Sequence, residues 1–338
     1  MAVPLAGGVD RSALLELLAD GRVHSGARLA RELETSLGAV RQGILGLKSL
    51  GIEVGARAGR GYCLPQPIEL LDALQIRAAL GGERQLKLNN LEVLFEVDST
   101  NTRLLQEAPP PAGQADVCIA ELQHAGRGRH GRRWIAPFGG SIALSLGWSF
   151  RDASRANPAL SLAVGVAICR ALTRDGARGI SLKWPNDVWF SDRKIGGVLV
   201  ELKTVDSGAA HVVIGIGLNV SLSAAARREI EATGVRAAAV ADAGTEECSR
   251  NRMTGTLLDE LLRMLDHFER EGFAPFRDAW TALDALRGRP ARILAGNNAI
   301  SGTARGVDED GALLLESGGR MQRFVSGEVS LALNLGDA

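Results

Sequence analysis

The chain is poor in cysteine, in aromatic side chains and in net charge, and each shortage excludes a class of protein. Four cysteines (Cys63, Cys118, Cys169 and Cys248) stand far apart among 338 residues, with no C-x-x-C pair. That spacing argues against a disulfide framework or a zinc ribbon. Cys118 and Cys169 lie inside apolar runs and read as core thiols, which suits a reducing compartment. Aromatic residues make up 4% of the chain, too few for the stacking platforms of an RNA-binding RG protein. Lys plus Arg and Asp plus Glu number 39 each, so no global field draws the protein onto nucleic acid, and any DNA contact has to be a local patch. Long apolar runs are missing too. Leu160 to Leu172 contains Arg170 and is too short to span a bilayer. Asp10, Arg11, Glu16 and Asp20 interrupt the N-terminal stretch that a signal peptide would need. A cytoplasmic protein without membrane contact is expected. What is present is a hydrophobic content of 46%, ample for a core, and a length that predicts two or three domains.

The densest chemistry sits in Gln123 to Trp134, QHAGRGRHGRRW. Arg127, Arg129, Arg132 and Arg133 share these positions with Gly126, Gly128 and Gly131. Like charges this close repel, so a folded chain needs a reason to gather them. Glycine opens backbone angles closed to other residues and exposes N–H groups, while guanidinium groups bind phosphate or carboxylate bidentately. The pattern reads as an anion-binding loop with Trp134 as an apolar wall. A disordered RG segment is the rival. The apolar runs on either side, Val117 to Leu122 and Ser141 to Phe150, predict core strands that would hold the loop in place.

Along the chain, Arg11 to Asp20 predicts a short amphipathic helix stopped by Gly21, after a loose leader before Asp10. Ser25 caps a second helix, and Thr35 or Ser36 caps a third that runs to Gly51. The glycine-tipped stretch from Gly51 to Leu64 then predicts a hairpin wing, so residues 1–67 read as a winged helix-turn-helix. Ser25 to Ile44 forms its reading element, with Arg41, Gln42 and Lys48 as polar reach. Gly38, Gly43 and Gly46 each cost about 1 kcal/mol of helix propensity relative to Ala. To Pro67 the charges are eight basic and six acidic, a small positive excess. Pro65 and Pro67 mark a linker.

Beyond it, a strand from Leu91 to Val97 ends in Ser99, Thr100 and Asn101, which either bind a ligand's carbonyl or urea edge or merely cap the next helix. Asn157 to Gly176 predicts a core helix with Asn157 as cap and Pro158 at its first position. Ile180 to Lys183 predicts a strand turned by Trp184-Pro185-Asn186-Asp187. Lys183 there either snorkels or faces an anion. Ser191 to Leu202 pairs back, with Gly196 and Gly197 allowing close approach. His211 to Val220 is another strand, whose Gly215 and Gly217 leave room for a flat ligand. Residues 222–252 predict a charged helix and loop over the site. Thr254 caps a long amphipathic helix ended by Gly272, followed by a short helix. Short strands then alternate with turns at Asn297-Asn298, Asp310-Gly311 and Gly318-Gly319.

DSTN, QHAGRGRHGRRW, KWPND, KIGGVLVE and GIGLN, in that order behind a winged helix, resemble the bifunctional family of biotin–protein ligases that also act as biotin operon repressors. The resemblance spans Arg11 to Leu333, and the GRGR-x-G-R and KWPND pair is its most specific part. It implies an α+β architecture: a winged helix-turn-helix (1–67), a central mixed β-sheet ligase domain flanked by helices (68–287) and a small C-terminal β-barrel (288–338). It implies that biotin and ATP give biotinyl-5′-adenylate and pyrophosphate, with Mg²⁺, and that biotin passes to a lysine on the biotin carboxyl carrier domain of acetyl-CoA carboxylase or a related carboxylase. Lys183, Arg127 and Arg129 are the expected catalytic cations. Ser99, Thr100, Asn101 and Gln123 match head-group positions, and Gly128, Trp134, Gly197, Gly215, Gly217 and Asn219 complete the expected substrate site. Asp187 is expected to orient Lys183 or to hold Mg²⁺ through water. Operator DNA and an adenylate-dependent homodimer are the implied partners. The sequence departs from the family in its recognition helix, SLGAVRQGI, which lacks a basic residue after Ser36 and carries extra glycines. Three alternatives stay open: a ligase whose winged helix does not bind DNA, a transcription factor that only senses its ligand, and a lipoate or other acyl–protein ligase.

Overall fold

The computed structural model describes residues 9–204, 210–245, 249–295 and 298–331. The chain forms two compact units, Met1–Leu71 and Asp72–Ala338.

In the first unit, α1 (Arg11–Leu18), α2 (Gly26–Glu32) and α3 (Leu37–Ser49) precede a hairpin of β1 (Gly55–Arg57) and β2 (Gly61–Cys63). The starts are fixed by side-chain caps: Asp10 accepts from Ser12 N–H, Ser25 from Arg28 N–H and Ser36 from Ala39 N–H. Leu14, Leu15, Leu18, Leu29, Val40, Ile44 and Leu47 form the core. Gly43 explains one of the propensity penalties. A Cβ there would overlap Val9 Cγ1 and lie 2.7 Å from Leu14 Cδ2, so close packing of α3 on the first helix requires glycine. Arg41, Gln42 and Lys48 are exposed on α3. The leader expected before Asp10 lies almost wholly outside the described residues, as does Cys248.

The second unit opens with α4 (Ala73–Ala78) and α5 (Gly82–Gln85). A seven-stranded sheet follows, built from β3 (Leu88–Val97), β4 (Ala115–Gln123), β5 (Ser141–Phe150), β6 (Ile180–Lys183), β7 (Asp187–Phe190), β8 (Arg193–Thr204) and β9 (Ala210–Asn219). Its order is β3-β4-β5-β9-β8-β7-β6. β3 and β4 run parallel across the crossover helix α6 (Thr100–Gln106), and the other pairs are antiparallel. Side chains alternate along β5: Phe150 meets Phe268 of α9 (Arg250–Glu271) on one face, while Ser145 meets α6 on the other. α7 (Leu160–Arg174) packs with α9, α8 (Ala224–Glu231) lies between β9 and α9 in the chain, and α10 (Ala274–Leu283) follows. Cys118 and Cys169 are buried and free, and burial pushes both thiols up to about 12.

Three expectations are corrected. α9 starts at Arg250 with Ser249 as cap, and Thr254 lies inside the helix with its hydroxyl on Arg250 O. The sequence hid this because a charged residue opens a buried turn: Arg250 pairs with Glu121 at 2.8 Å, both about 5% exposed. α7 starts at Leu160. Asn157 instead accepts from Ala159 N–H in the turn before it. Finally, β10 (Pro290–Ala295), β11 (Asn298–Val307), β12 (Leu313–Ser317), β13 (Arg320–Phe324) and β14 (Glu328–Leu331) form an antiparallel sheet in the order β13-β12-β11-β10-β14. Among the described residues β13 and β14 stay unpaired with each other, so the expected small barrel is open. Asn297 of the predicted turn lies outside the described residues. No helix of the described residues is long and apolar enough to cross a membrane.

Candidate active site

The ends of the parallel pair β3–β4 and the start of α6 meet mid-strand residues of the antiparallel neighbours β5 and β9. Ser99 caps α6 through its hydroxyl, which turns Thr100 and Asn101 inward, where they are 3% and 4% exposed. Thr100 N–H donates to Gln123 Oε1 at the end of β4, at 2.9 Å. Ser145 Oγ, fully buried on β5, lies 2.7 Å from Thr100 Oγ1 and 2.5 Å from Asn101 Oδ1. Asn101 Nδ2 donates to Glu201 of β8 at 2.7 Å. Ser99 is thus both a cap and a wall of the site.

The arginine loop is ordered. Gly128 N–H donates to Arg132 O at 2.7 Å and Trp134 N–H to Gly126 O at 2.8 Å, with His130 and Gly131 at φ 56° and 72° making the reversal. One expectation changes: the Gly128 amide closes the loop and is not a free donor for an anion. The arginines differ in what they touch. Arg127 donates to both carboxylate oxygens of Glu201 at 3.2 Å and to Thr102 Oγ1. Arg132 donates to Glu328 of β14, which His130 approaches at 3.9 Å. Among the described residues the Arg129 guanidinium meets only Asn186 Oδ1, at 3.5 Å, and burial pushes it below the ordinary arginine value, against the pull of Asp187.

Across the cavity, β6 and β7 are joined by a turn with a cis Trp184–Pro185 bond, anchored by Trp184 Nε1 on Gly311 O at 3.1 Å and Asn186 Nδ2 on Val198 O at 2.7 Å. Lys183 points its ammonium to within 4.7 Å of the Trp189 ring centre and makes no ion pair or hydrogen bond among the described residues. Burial lowers its pKa, with Asp187 opposing. Asp187 itself is held elsewhere: its Oδ1 lies 2.7 Å from Lys194 Nζ. The β6–β7 register sets Asp187 opposite Lys183, on which its charge acts, while the β7–β8 register sets it opposite Gly197, whose missing side chain makes room for the Lys194 ammonium that Asp187 pairs with directly. Lys194, 5.6 Å from the Trp134 ring centre, is a second cavity ammonium. It lay unremarked in the KIGGVLVE motif.

The glycines of β9 also read differently in three dimensions. A Cβ on Gly215 would overlap Asn101 Oδ1, and one on Gly217 would overlap Trp134 Cε2 and lie 2.6 Å from Nε1. They seat protein side chains, which in turn form the wall. Gly217→Ala is expected to displace Trp134, costing about 1–3 kcal/mol of stability by overpacking and weakening ligand binding. Thermal unfolding and calorimetric titration check both. Asn219 is 2% exposed, with Nδ2 on Ala238 O. It supports the cavity floor.

Ser99, Thr100, Asn101, Gln123, the arginine loop, Lys183, Asp187 and Lys194 line one cavity of about 1030 Å³, with Ser145 and Glu201 behind its wall. Such a volume suits a ligand larger than a typical small molecule. Its carboxylates are engaged: Asp187 by Lys194, Glu328 by Arg132 and Asp192 by Arg289, as is Glu201 behind the wall by Arg127. No group of three metal-ligating side chains occurs among the described residues.

Comparisons with known proteins carry the geometry to a family. The family model described as biotin/lipoate A/B protein ligase matches residues 94–219, that of the biotin protein ligase C terminal domain matches 288–332, and an HTH domain model matches 10–63. The bifunctional ligase/repressor BirA of Escherichia coli is 39% identical over 320 residues, 94% of this chain and 96% of its own. The chain belongs to the biotin protein ligase family. A biotin–[acetyl-CoA-carboxylase] ligase of Paracoccus denitrificans is 33% identical over 249 residues, 70% of this chain and 98% of its own. The biotin protein ligase of Aquifex aeolicus in complex with biotin and ATP is 28% identical, with a TM-score of 0.59 over 72% of this chain and 99% of its own. This chain is a ligase of that family with a winged helix-turn-helix ahead of the ligase core.

Proposed function

We propose that the chain joins biotin to ATP and then to protein. A carboxylate oxygen of biotin attacks the α-phosphorus, the bond to pyrophosphate breaks, and biotinyl-5′-adenylate forms. A lysine amine of a carrier domain then attacks the acyl carbon, an amide forms and AMP leaves. The observation that carries this reading is the convergence of Lys183 and Arg129, neither tied to a carboxylate, on the cavity that also holds the polar residues of α6 and Gln123. Two anions must meet for the first step, and fixed cations lower their repulsion without reorganising. Lys183 bridges the biotin carboxylate and α-phosphate, Arg127 and Arg129 hold the phosphates and the adenylate, and Trp134 packs on the ligand. Ser99, Thr100, Asn101 and Gln123 take the head group. Mg²⁺ would arrive with the nucleotide and meet at most the one carboxylate of Asp187; none of these steps runs through it.

The division into a DNA-binding part (1–67), a catalytic part (68–287) and a C-terminal part (288–338) belongs to the same proposal. So do a cytoplasmic location, the carboxylase carrier domain as protein substrate, operator DNA on the exposed Arg41, Gln42 and Lys48, and a homodimer of the adenylate-bound form. Incubation with ATP, biotin and a carrier domain tests the core of it. One biotinylated lysine and released AMP are expected, and calorimetry with biotin and lipoate separates the acids. A protein that only senses its ligand yields no modified lysine. A gel shift on the DNA upstream of the biotin genes, with and without biotin and ATP, tests operator binding.

The depressed Lys183 pKa gives a pH prediction. The charged form is the active one, so kcat/KM for adenylation falls as pH rises through a pKa below the ordinary lysine value. In Lys183→Arg, whose guanidinium stays protonated, that alkaline limb is expected to vanish while the rate at neutral pH drops. An alkaline limb unchanged in the variant assigns it to another group.

A further inference from the structure

Two residues without an expected role, Ser145 and the glutamate that ends KIGGVLVE, tie the halves of the site together. Ser145 is fully buried on β5, in register with Gly215 of β9. Glu201 on β8 faces the same space, in register with Val213. Between them they hold the Asn101 amide: Ser145 Oγ is 2.5 Å from Oδ1, and Nδ2 donates to Glu201 Oε2 at 2.7 Å. The chemistry of the groups sets the direction of the chain. Asn101 Oδ1 only accepts, so the single Ser145 hydroxyl proton points to it at 2.5 Å, and the one Thr100 hydroxyl proton is taken within the protein by Ser145 Oγ at 2.7 Å or Gln123 Oε1 at 3.2 Å, both of which can accept. Thr100 Oγ1 then has lone pairs but no proton for a ligand. Gln123 Oε1 is occupied by Thr100 N–H, which leaves the Gln123 amide N–H₂ as the donor beside it. At the other end, the carboxylate that takes Asn101 Nδ2 also takes both bonds from Arg127.

We propose that Ser145 and Glu201 are positioning residues that fix the donor and acceptor pattern of the head-group pocket and couple it, through the shared carboxylate, to Arg127 of the arginine loop. This rests on the ligase reading of the same cavity. Ser145 acts on the acid substrate through Asn101 and Thr100, and Glu201 acts on the nucleotide side through Arg127. Neither needs to touch a ligand.

The two contributions separate by substitution. Ser145→Ala removes the proton that fixes Asn101 and leaves the Glu201–Arg127 pair. Glu201→Gln keeps an acceptor for Asn101 and ends the charge pairing with Arg127. In the full-length protein, biotin-dependent exchange of pyrophosphate into ATP is measured while varying each substrate, with thermal unfolding alongside. Ser145→Ala is expected to raise KM for biotin about tenfold, as for the loss of one well-placed hydrogen bond, and to leave KM for ATP nearly unchanged. Glu201→Gln is expected to raise KM for ATP by a similar factor, with a smaller effect on biotin. Both KM values unmoved in both variants, with only the melting temperature or kcat lowered, overturn the proposal in favour of a purely structural role. A wild type without biotin-dependent exchange overturns the ligase reading and this inference with it, whereas an active wild type with unmoved variants overturns this inference alone.

Discussion

Lys183→Ala is expected to lower adenylate formation by about 10²–10³-fold, the usual cost of removing one preorganised charge from a transition state, while the protein stays folded. The fold should survive because, among the described residues, Lys183 makes no ion pair or hydrogen bond whose loss would strand a buried partner. Its ammonium rests 4.7 Å from the Trp189 ring centre, and burial already disfavours its charge. A cation retained at such a cost, without a carboxylate of its own, stands ready for an anion from outside. The measurement is release of pyrophosphate at saturating biotin and ATP, with circular dichroism and thermal unfolding to verify the fold. Lys194→Ala is the necessary companion, since Lys194 reaches the same cavity but is neutralised by Asp187 at 2.7 Å. If Lys183→Ala retains near-normal adenylation and Lys194→Ala does not, the bridging role passes to Lys194, and Asp187 becomes the group that orients it.

How much of this was legible in the sequence depends on how local each determinant is. Ser25, Ser36 and Ser99 announced their helices because a cap needs only a hydroxyl three residues from an N–H. The site residues at strand ends and turns were legible for a similar reason: glycines beside arginines, and Lys-Trp-Pro-Asn-Asp across one turn, have few structural excuses. Asp187 faces Lys183 across the hairpin of its own motif, but its ion-pair partner Lys194 comes from the next strand, through a register that KWPND alone does not record. Ser145, in an apolar strand, gave no signal, and Glu201, though it ends KIGGVLVE, gave no sign of its role; only the pairing of β5 with β9 and of β8 with β9 brings them to Asn101. The Glu328–Arg132 contact joins residues 196 apart in sequence and could not have been read from spacing. The start of α9 was missed because a buried arginine paired with a buried carboxylate resembles a surface turn when only composition is considered.

Arg129→Gly is expected to convert a retentive enzyme into a leaky one. Of the arginines facing the cavity, Arg127 is tied to Glu201 and Arg132 to Glu328, so their charges are partly answered from within the protein. Among the described residues Arg129 has only the long contact to Asn186, and it is half-buried, which leaves its guanidinium to the ligand phosphate. Loss of a charge-assisted hydrogen bond costs about 1.5–3 kcal/mol, or roughly 10–100-fold in residence time if it falls on dissociation. Glycine also frees the backbone beside His130, already at φ 56°, and widens the exit. The mixed anhydride should then escape and acylate exposed lysines of any protein present, so that a bystander without a carrier domain becomes biotinylated. A chase of preformed adenylate measures the dissociation rate directly. Arg129→Lys separates charge from loop order: it should restore part of the retention if charge is what holds the adenylate. A leak equal to that of Arg129→Gly would mean that the planar, two-pronged guanidinium is what the phosphate requires. Unchanged retention in Arg129→Gly itself would remove Arg129 from the phosphate site altogether and leave the loop's grip to Arg127.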